Sequence, residues 1–521
     1  MADIPILGIP STYRKPGGFA ELLFNQGPAT SSASEREMVF VMPRITGSGT
    51  WVNNTMYRVK SEKDVIDGAG NGSPIHRALR RALKANKSGK YWAVPYGEST
   101  GGAPVKADLT VTWATDPTGT GSTTLWVCGE PCSVGFIDAD TVTTIAAAMV
   151  LVVNGKTHLP VLASNVAGVV TLTALVNGVS QGDGTSGAIR VHAEIEAGKG
   201  TTVATENGGT TDALGLGTGT TGVEGSTTEA ANLATALATL DAVRKYYIVT
   251  STWDATSLTN LQTHIAGKSE PNPGHRSVGI AAFCGALAAG ATIANARNYE
   301  RLQLVWQPNS EEDPATLAGQ VAAIRQKRES LDSTFNFDFY RGSDWLIPAA
   351  FAVADWPDDT DQNDAINDGL TPIASTAVGS FLVYSATTRS KDATGVFDDP
   401  RSLETHRISG PDLVTDTFLT RHALQYTGKK LAADKFDAAG NVDPNQKLFP
   451  GVLTASTYKP FVLSILDEFE GIVLQNVAAS KAGCDVLKDP NNGGRLEVGC
   501  DLHTVDLFHQ VTYRLAEVST G

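Results

Sequence analysis

Cysteine is scarce in this chain, with 5 among 521 residues, an odd number spread along its length. That excludes a disulfide framework as the organising device and suits a reducing compartment. Cys128 and Cys132 share the segment CGEPC, yet no second Cys or His pair stands at zinc-site spacing, so no metal is expected there. Charge is thin as well: Asp, Glu, Lys and Arg make up 18% of the chain, against a usual share of about 25%. Fewer charges leave more neutral surface for contacts between subunits. Long apolar runs are missing too. The weakly polar stretch GIAAFCGALAAGATIANA at 279–296 is too rich in Ala and Gly for a membrane span and divides better into a buried strand and a following helix. The opening MADIPILGIPSTYRKPGG has no apolar run behind a basic one, so no secretory signal is expected and synthesis in a cytoplasm follows.

What is present is a globular composition. Hydrophobic residues at 41% can bury several cores, and 521 residues suit roughly two to four domains. The balance of 41 Lys+Arg against 55 Asp+Glu gives −14, a surface that repels nucleic acid and anionic membrane.

Along the chain, residues 19–102 read as the first part of a core: a strand at EMVFVMPRI, a helix at PIHRALRRALKAN with Ser73 as N-cap and Pro74 in its first turn, and a strand at KYWAVPY. From 103 to 209 the texture turns to Thr, Val and Gly, with short strands at ADLTVTWAT, TTLWVCG, LPVLAS and GVVTLTALVNG. One helix, DADTVTTIAAAMVLVV, interrupts them, with Asp138 or Asp140 as cap. This reads as a separate, mostly β module inserted into another domain. Residues 210–332 alternate apolar strands with helices, which predicts parallel βαβ units with right-handed crossovers, covered on both faces. Beyond Asp332 the pattern predicts an α+β domain at 333–501, with a strand at FLVYSATTRS and helices at PDLVTDTFLTRHALQYTGKKLA and STYKPFVLSILDEFEGIVLQN.

Both ends read as extended arms, 1–18 and 502–521. Val505, Leu507, Val511, Tyr513 and Leu515 alternate with polar residues, apart from Phe508 and His509. Ile4, Ile6, Ile9 and Tyr13 are broken by Pro5, Pro10 and Pro16, which permits edge-strand or polyproline geometry only. An isolated strand is marginal in water, so each arm must dock, either on its own domain's sheet or on a neighbouring copy.

No catalytic constellation emerges. Gly178, Ser180 and Gly182 spell GxSxG, but a nucleophile elbow needs a strand before the serine and a helix after it, and both flanks are rich in turns. Ser186 sits in a subtilisin-like GTSGA without a matching Asp-Thr-Gly or His-Gly-Thr segment. Gly217, Gly219 and Gly222 spell GxGxxG with no buried strand leading in, and read as a hinge. Asp359, Asp361, Asn363 and Asp364 approach a calcium loop, but Asp364 replaces its glycine and Leu370 its final glutamate, so they read as an acidic solvated loop. Arg77, Arg80, Arg81 and Lys84 share a helical face. With no stacking platform beside it and a negative chain around it, that face reads as solvated, or as a contact with an acidic neighbouring subunit, rather than a nucleic-acid stripe.

Four segments, in order, resemble one family. They are GNGSPIHRALRRALKANKSGKYWAVPYGE, LDAVRKYYIVTSTWDATSLTNLQTHI, INDGLTPIASTAVGSFLVYSATTRS and DPNNGGRLEVGCDLHTVDLFHQVTYRL. Together they resemble the tail sheath proteins of contractile-tailed bacteriophages, most nearly the Mu-like branch, and Asn367-Asp-Gly369-Leu-Thr371-Pro372 is the most diagnostic run. The resemblance implies a virion structural protein, not an enzyme, with no cofactor. It would form stacked hexameric rings around a tail tube and contract from a metastable extended state to drive genome delivery. Its partners would be copies of itself, the tube protein, and baseplate and tail terminator proteins. It also implies arm exchange between neighbours, which here places the inter-subunit contacts on Ile4, Ile6, Ile9, Tyr13, Val505, Leu507, Val511, Tyr513 and Leu515. The alternatives are the sheath of a headless contractile particle, a serine hydrolase using Ser180 or Ser186, and a cell-surface layer or adhesin protein with β modules, which the lack of an export signal disfavours.

Overall fold

The computed structural model describes residues 36–507 apart from 179–188, 206–210, 214–222, 272–273, 309, 335–355, 377–378, 393, 396–397, 437–438, 440 and 444–445. The described chain begins on β1 (Met38–Pro43), buried at every position, and continues through β2 (Tyr57–Val59), α1 (Glu62–Ala69), α2 (Pro74–Ala85) and β3 (Tyr91–Tyr96). As the sequence predicts, Ser73 caps α2, its hydroxyl accepting from the His76 N–H, and Pro74 stands in the first turn.

The chain then leaves through a short antiparallel ribbon, Thr100 facing Thr227 and Val105 facing Val223. Beyond the ribbon lie β4 (Asp108–Trp113), β5 (Gly121–Val127), β6 (Glu130–Phe136), α3 (Val142–Gly155), β7 (Val161–Val166), β8 (Val169–Ala174), β9 (Arg190–Ile195), β10 (Val203–Thr205) and β11 (Thr211–Ala213). They form two four-stranded sheets, ordered β10-β4-β8-β7 and β11-β9-β5-β6. Leu109, Val111, Trp113, Leu125, Val170 and Val191 fill the core they share, with Ile145, Met149 and Val153 of α3. Because β11 pairs with β9, the strands of this module run past the expected boundary at 209. The cap of α3 is Thr141, in a reciprocal box with Thr144, and not Asp138 or Asp140. Asp140 instead accepts from the Ile137 N–H at 2.8 Å. β7 is an edge strand, and the Asn154 side chain of α3 bonds both the N–H and the C=O of its Ala163, each at 2.9 Å. That covers outward-facing backbone which would otherwise invite another strand.

After the ribbon returns come α4 (Glu229–Ala238), β12 (Tyr247–Thr250), α5 (Ala255–Ser269), β13 (Val278–Phe283), α6 (Leu287–Arg297), β14 (Leu302–Trp306), α7 (Pro314–Glu329), α8 (Asp359–Asn367), β15 (Thr371–Thr376) and β16 (Gly379–Leu382). One eight-stranded sheet results, ordered β16-β15-β14-β13-β12-β1-β3-β2, parallel throughout except where β2 and β16 close its two ends. The fold is therefore α/β around a mostly parallel sheet. The period-2 pleat sorts β1 onto two cores: Met38, Phe40 and Met42 face α2 and α7, while Val39 and Val41 face α4 and α5. Two sequence expectations are corrected here. The α/β pattern does not stop at Asp332, because Thr371–Thr376, which lacks a long apolar run, adds parallel to β14. The acidic residues Asp359, Asp361, Asn363 and Asp364 lie in helix α8, capped by Asp358, and not in a loop.

The rest of the described chain forms a C-terminal unit: α9 (His406–Tyr426), β17 (Lys430–Leu431), β18 (Val452–Leu453), α10 (Ala455–Glu468), α11 (Val477–Ala482), β19 (Asp485–Lys488) and β20 (Leu496–Gly499). The helix expected to run to Asn476 ends at Glu468, where the chain turns through Gly471 at φ 76°. Cys484 and Cys500 form a disulfide at the base of the β19–β20 hairpin, a pairing that five scattered cysteines did not announce.

Candidate assembly edge and ionic joints

The β19–β20 hairpin is an unfinished sheet. Val486 and Val498 are cross-strand partners and so share a face. Val486 packs with Tyr458 and Val462 of α10 and is 8% exposed, whereas Val498 is 45% exposed. β20 thus extends beyond the cover of α10, and among the described residues each strand has one unpaired edge. Leu487, on the opposite face, is 62% exposed.

The following segment stays on this unit for a few residues. The Gln475 N–H donates to His503 O at 2.7 Å, Thr504 bridges Leu474, and the Val505 N–H donates to Val473 O at 2.9 Å. Val505 O meets His406 Nε2 at 3.0 Å, and Asp506 pairs with Arg407. The strand expected to depart at 502 therefore bonds first within its own chain. Val505 and Leu507 are the terminal candidates inside the described residues. Ile4, Ile6, Ile9, Tyr13, Val511, Tyr513 and Leu515 lie outside them, as do Ser180, Ser186, Gly217, Gly219 and Gly222.

The three arginines of the basic stripe on α2 are paired within the chain rather than simply solvated, while Lys84 at its end is exposed. Arg77 pairs with Asp313 at 2.7 Å, Arg81 with Glu312, and Arg80 with Glu62 at 3.4 Å and Glu130 at 3.8 Å. Glu312 and Asp313 precede α7, whose Gly319 lets it lie close on α2: a Cβ there would meet Ala78 O at 2.8 Å. Sequence spacing identified the stripe but could not show that acidic residues far along the chain would meet it. Burial pushes Glu312 up to about 7 even though Arg81 pulls the other way, and burial raises Glu311 to about 7 against the pull of Arg190. Across the same joint, His158, whose Nε2 lies 3.5 Å from Glu130, holds that carboxylate down at about 2, with Arg80 and Lys156 adding to it.

A second joint lies at the amino ends of the parallel strands. Arg244, Arg276 and Arg301 stand just ahead of β12, β13 and β14 and converge on Asp412 and Asp416 of α9. At the opposite, carboxyl ends, where doubly wound sheets carry ligand crevices, buried Glu98 accepts from the Thr46 N–H at 2.7 Å and the Asn177 N–H at 2.9 Å. Glu98 thus ties the exit of β1 to the β-rich module. Among the described residues no group of three or more His, Cys, Asp or Glu side chains is placed to hold a metal, and no helix is long and apolar enough to cross a membrane.

No protein-family model matches the chain, and no curated protein matches it significantly. Among solved structures it is similar to a sheath tail protein from Desulfitobacterium hafniense at 13% identity, with 94% of this chain and 100% of that chain covered and a TM-score of 0.45. It is similar also to a sheath tail protein from Listeria innocua at 14% identity, with 91% and 94% covered and a TM-score of 0.46.

Proposed function

We propose that this chain is a structural subunit of a contractile tail sheath, polymerising as stacked hexameric rings around a tail tube and contracting to drive that tube through a host envelope. The observation that carries the reading is the unfinished β19–β20 sheet, whose helix-facing side continues beyond α10 to a Val498 that is 45% exposed. A two-stranded sheet is marginal by itself, and an extended arm from an adjacent copy laid along a free edge would supply both backbone partners and apolar cover. The arms of 1–18 and of the residues beyond 507 are the segments that would do so. Such ladders tether neighbours while the bodies behind them rotate, so contraction needs no nucleotide, only a kinetically trapped extended lattice. The partners are then further copies, a tube protein, and baseplate and terminator proteins, and the location is the virion tail.

Electron microscopy of the purified chain tests this. Full-length protein is expected to form tubes or rings, and deletion of 1–18 or of 508–521 to leave a folded monomer. The second deletion begins at 508 because 503–506 bond to 473–475 and to α9 within the chain. Truncated protein that still polymerised normally would refute the tether role.

A further inference from the structure

We propose that Asp412 and Asp416 form a releasable ionic clasp, which fixes the C-terminal unit on the amino ends of the sheet and lets that unit swing away intact when it opens. This is independent of the sheath reading, since it concerns how two parts of one chain are joined.

The two parts have separate apolar cores. Val414, Leu466, Val473, Leu474 and Val477 form one cluster of the unit, and Ala455, Tyr458, Val462, Cys484 and Val486 another; neither shares a residue with the clusters of the sheet. Across the boundary, α9 presents Ile408 to the sheet's core. The other ties described here are polar. Asp412 accepts from Arg301 at 2.7 and 2.9 Å and from the Tyr246 hydroxyl at 3.0 Å, with Arg276 Nε at 3.3 Å. Asp416 accepts from Arg244 at 2.9 and 2.8 Å and from Arg276 at 2.6 Å. Arg36 donates to Ser409 O at 2.6 Å, the Ser409 hydroxyl to Ser333 O at 2.8 Å, and the Thr334 hydroxyl to Ile472 O at 2.6 Å. Burial alone would raise Asp416, but Arg244 and Arg276 outweigh it and hold it below the ordinary carboxylate range.

This chemistry distinguishes a joint from a core. An apolar interface of similar extent resists parting because every exposed CH₂ costs free energy in water. Guanidinium and carboxylate groups recover hydration when separated, so a paired interface holds its register firmly yet parts without exposing a large apolar surface. Neutralising the two aspartates leaves three arginines facing α9 without their counter-charge, which opens the clasp. The Leu413, Val414 and Phe418 side of α9 stays packed on the core around Leu466 and Val473.

The test uses the full chain with Asp412→Asn, Asp416→Asn and the double substitution. The segment joining the parts, 393–405, carries Arg401 and gives trypsin its target, whereas Arg389 and Lys391 are bonded to Glu300 and Asn298 on the sheet's side. In the double variant, cleavage there is expected to rise at least about tenfold and to release a resistant C-terminal fragment, with hydrogen exchange of α10 and β19–β20 unchanged. Asp416→Asn, whose partner Arg244 is already 27% exposed, is expected to fall between wild type and double variant; this milder variant keeps the test decisive if the double one is poorly folded. Wild-type cleavage rates in all three would overturn the clasp. So would loss of protection in α10 together with α9, because the unit would then not move as a body.

Discussion

Replacing Arg77 with methionine measures what holds α2 to α7. Arg77 is 6% exposed, and its guanidinium lies 2.7 Å from Asp313, which is 2% exposed. The substitution keeps most of the side-chain bulk but leaves a buried carboxylate without that charge partner. Breaking a buried pair from one side costs about 3–5 kcal/mol. Asp313 keeps the Thr316 N–H at 3.2 Å and the Thr316 hydroxyl at 2.5 Å as donors, so the lower end, about 3 kcal/mol, is expected. A solvated stripe would instead put the same change within about 0.5 kcal/mol of wild type. Arg80→Met is the internal control: its side chain is 34% exposed with partners at 3.4 and 3.8 Å, and its loss should cost below about 1 kcal/mol. Urea unfolding followed by fluorescence of the core tryptophans, which include Trp51 and Trp306, reads the difference. Adding Asp313→Asn to Arg77→Met should recover part of the loss, because the stranded charge is removed. A cost below 1 kcal/mol for Arg77→Met, or full additivity in the double variant, would refute the reasoning.

Two glycines give opposite signs. Gly319→Ala should destabilise by about 1–3 kcal/mol, since its Cβ would lie 2.8 Å from Ala78 O and 3.1 Å from the Phe40 ring. Gly267→Ala in α5, with nothing within 4 Å, should stabilise by about 0.5–1 kcal/mol; thermal unfolding shifts of the same sign would contradict the packing. Stability should also respond to pH through Glu311 and Glu312. Both are raised to about 7 by burial, so their contribution is fully present below their unfolded values near 4.5 and is lost as pH rises through 7. Buried Glu312 contributes a fall of up to about 1.4 kcal/mol per pH unit across that window, and Glu311, partly exposed, contributes less. His76, lowered to about 4 by burial, works the other way, its contribution being lost as pH falls from 6.5 through 4. Glu312→Gln should flatten the first slope in urea titrations, and an unchanged slope would count against the assignment.

What the sequence could reveal depended on whether the deciding contact was local. Ser73 and Pro74 mark the start of α2 by themselves, and the apolar runs of β1, β12, β13 and β14 announce buried parallel strands. Thr371–Thr376 carries no such run and becomes a strand because β14 offers it an edge. Glu130–Phe136 contains Pro131 and Gly135 and is a strand through its partner β5. The partners of Arg77, Arg81, Asp412 and Asp416 lie more than a hundred residues away in sequence. Spacing shows that such residues share a face, and only the fold shows what that face meets.

The ribbon at Thr100–Val105 and Val223–Thr227 has an evolutionary consequence. Exit and return run side by side, so whatever lies beyond them can lengthen, shrink or be exchanged without the parallel sheet sensing a change in the distance between its own attachment points. A foreign domain grafted on that stem would need termini that sit close together, and would have to meet Glu98 and Arg80, which Asn177 and Glu130 now contact.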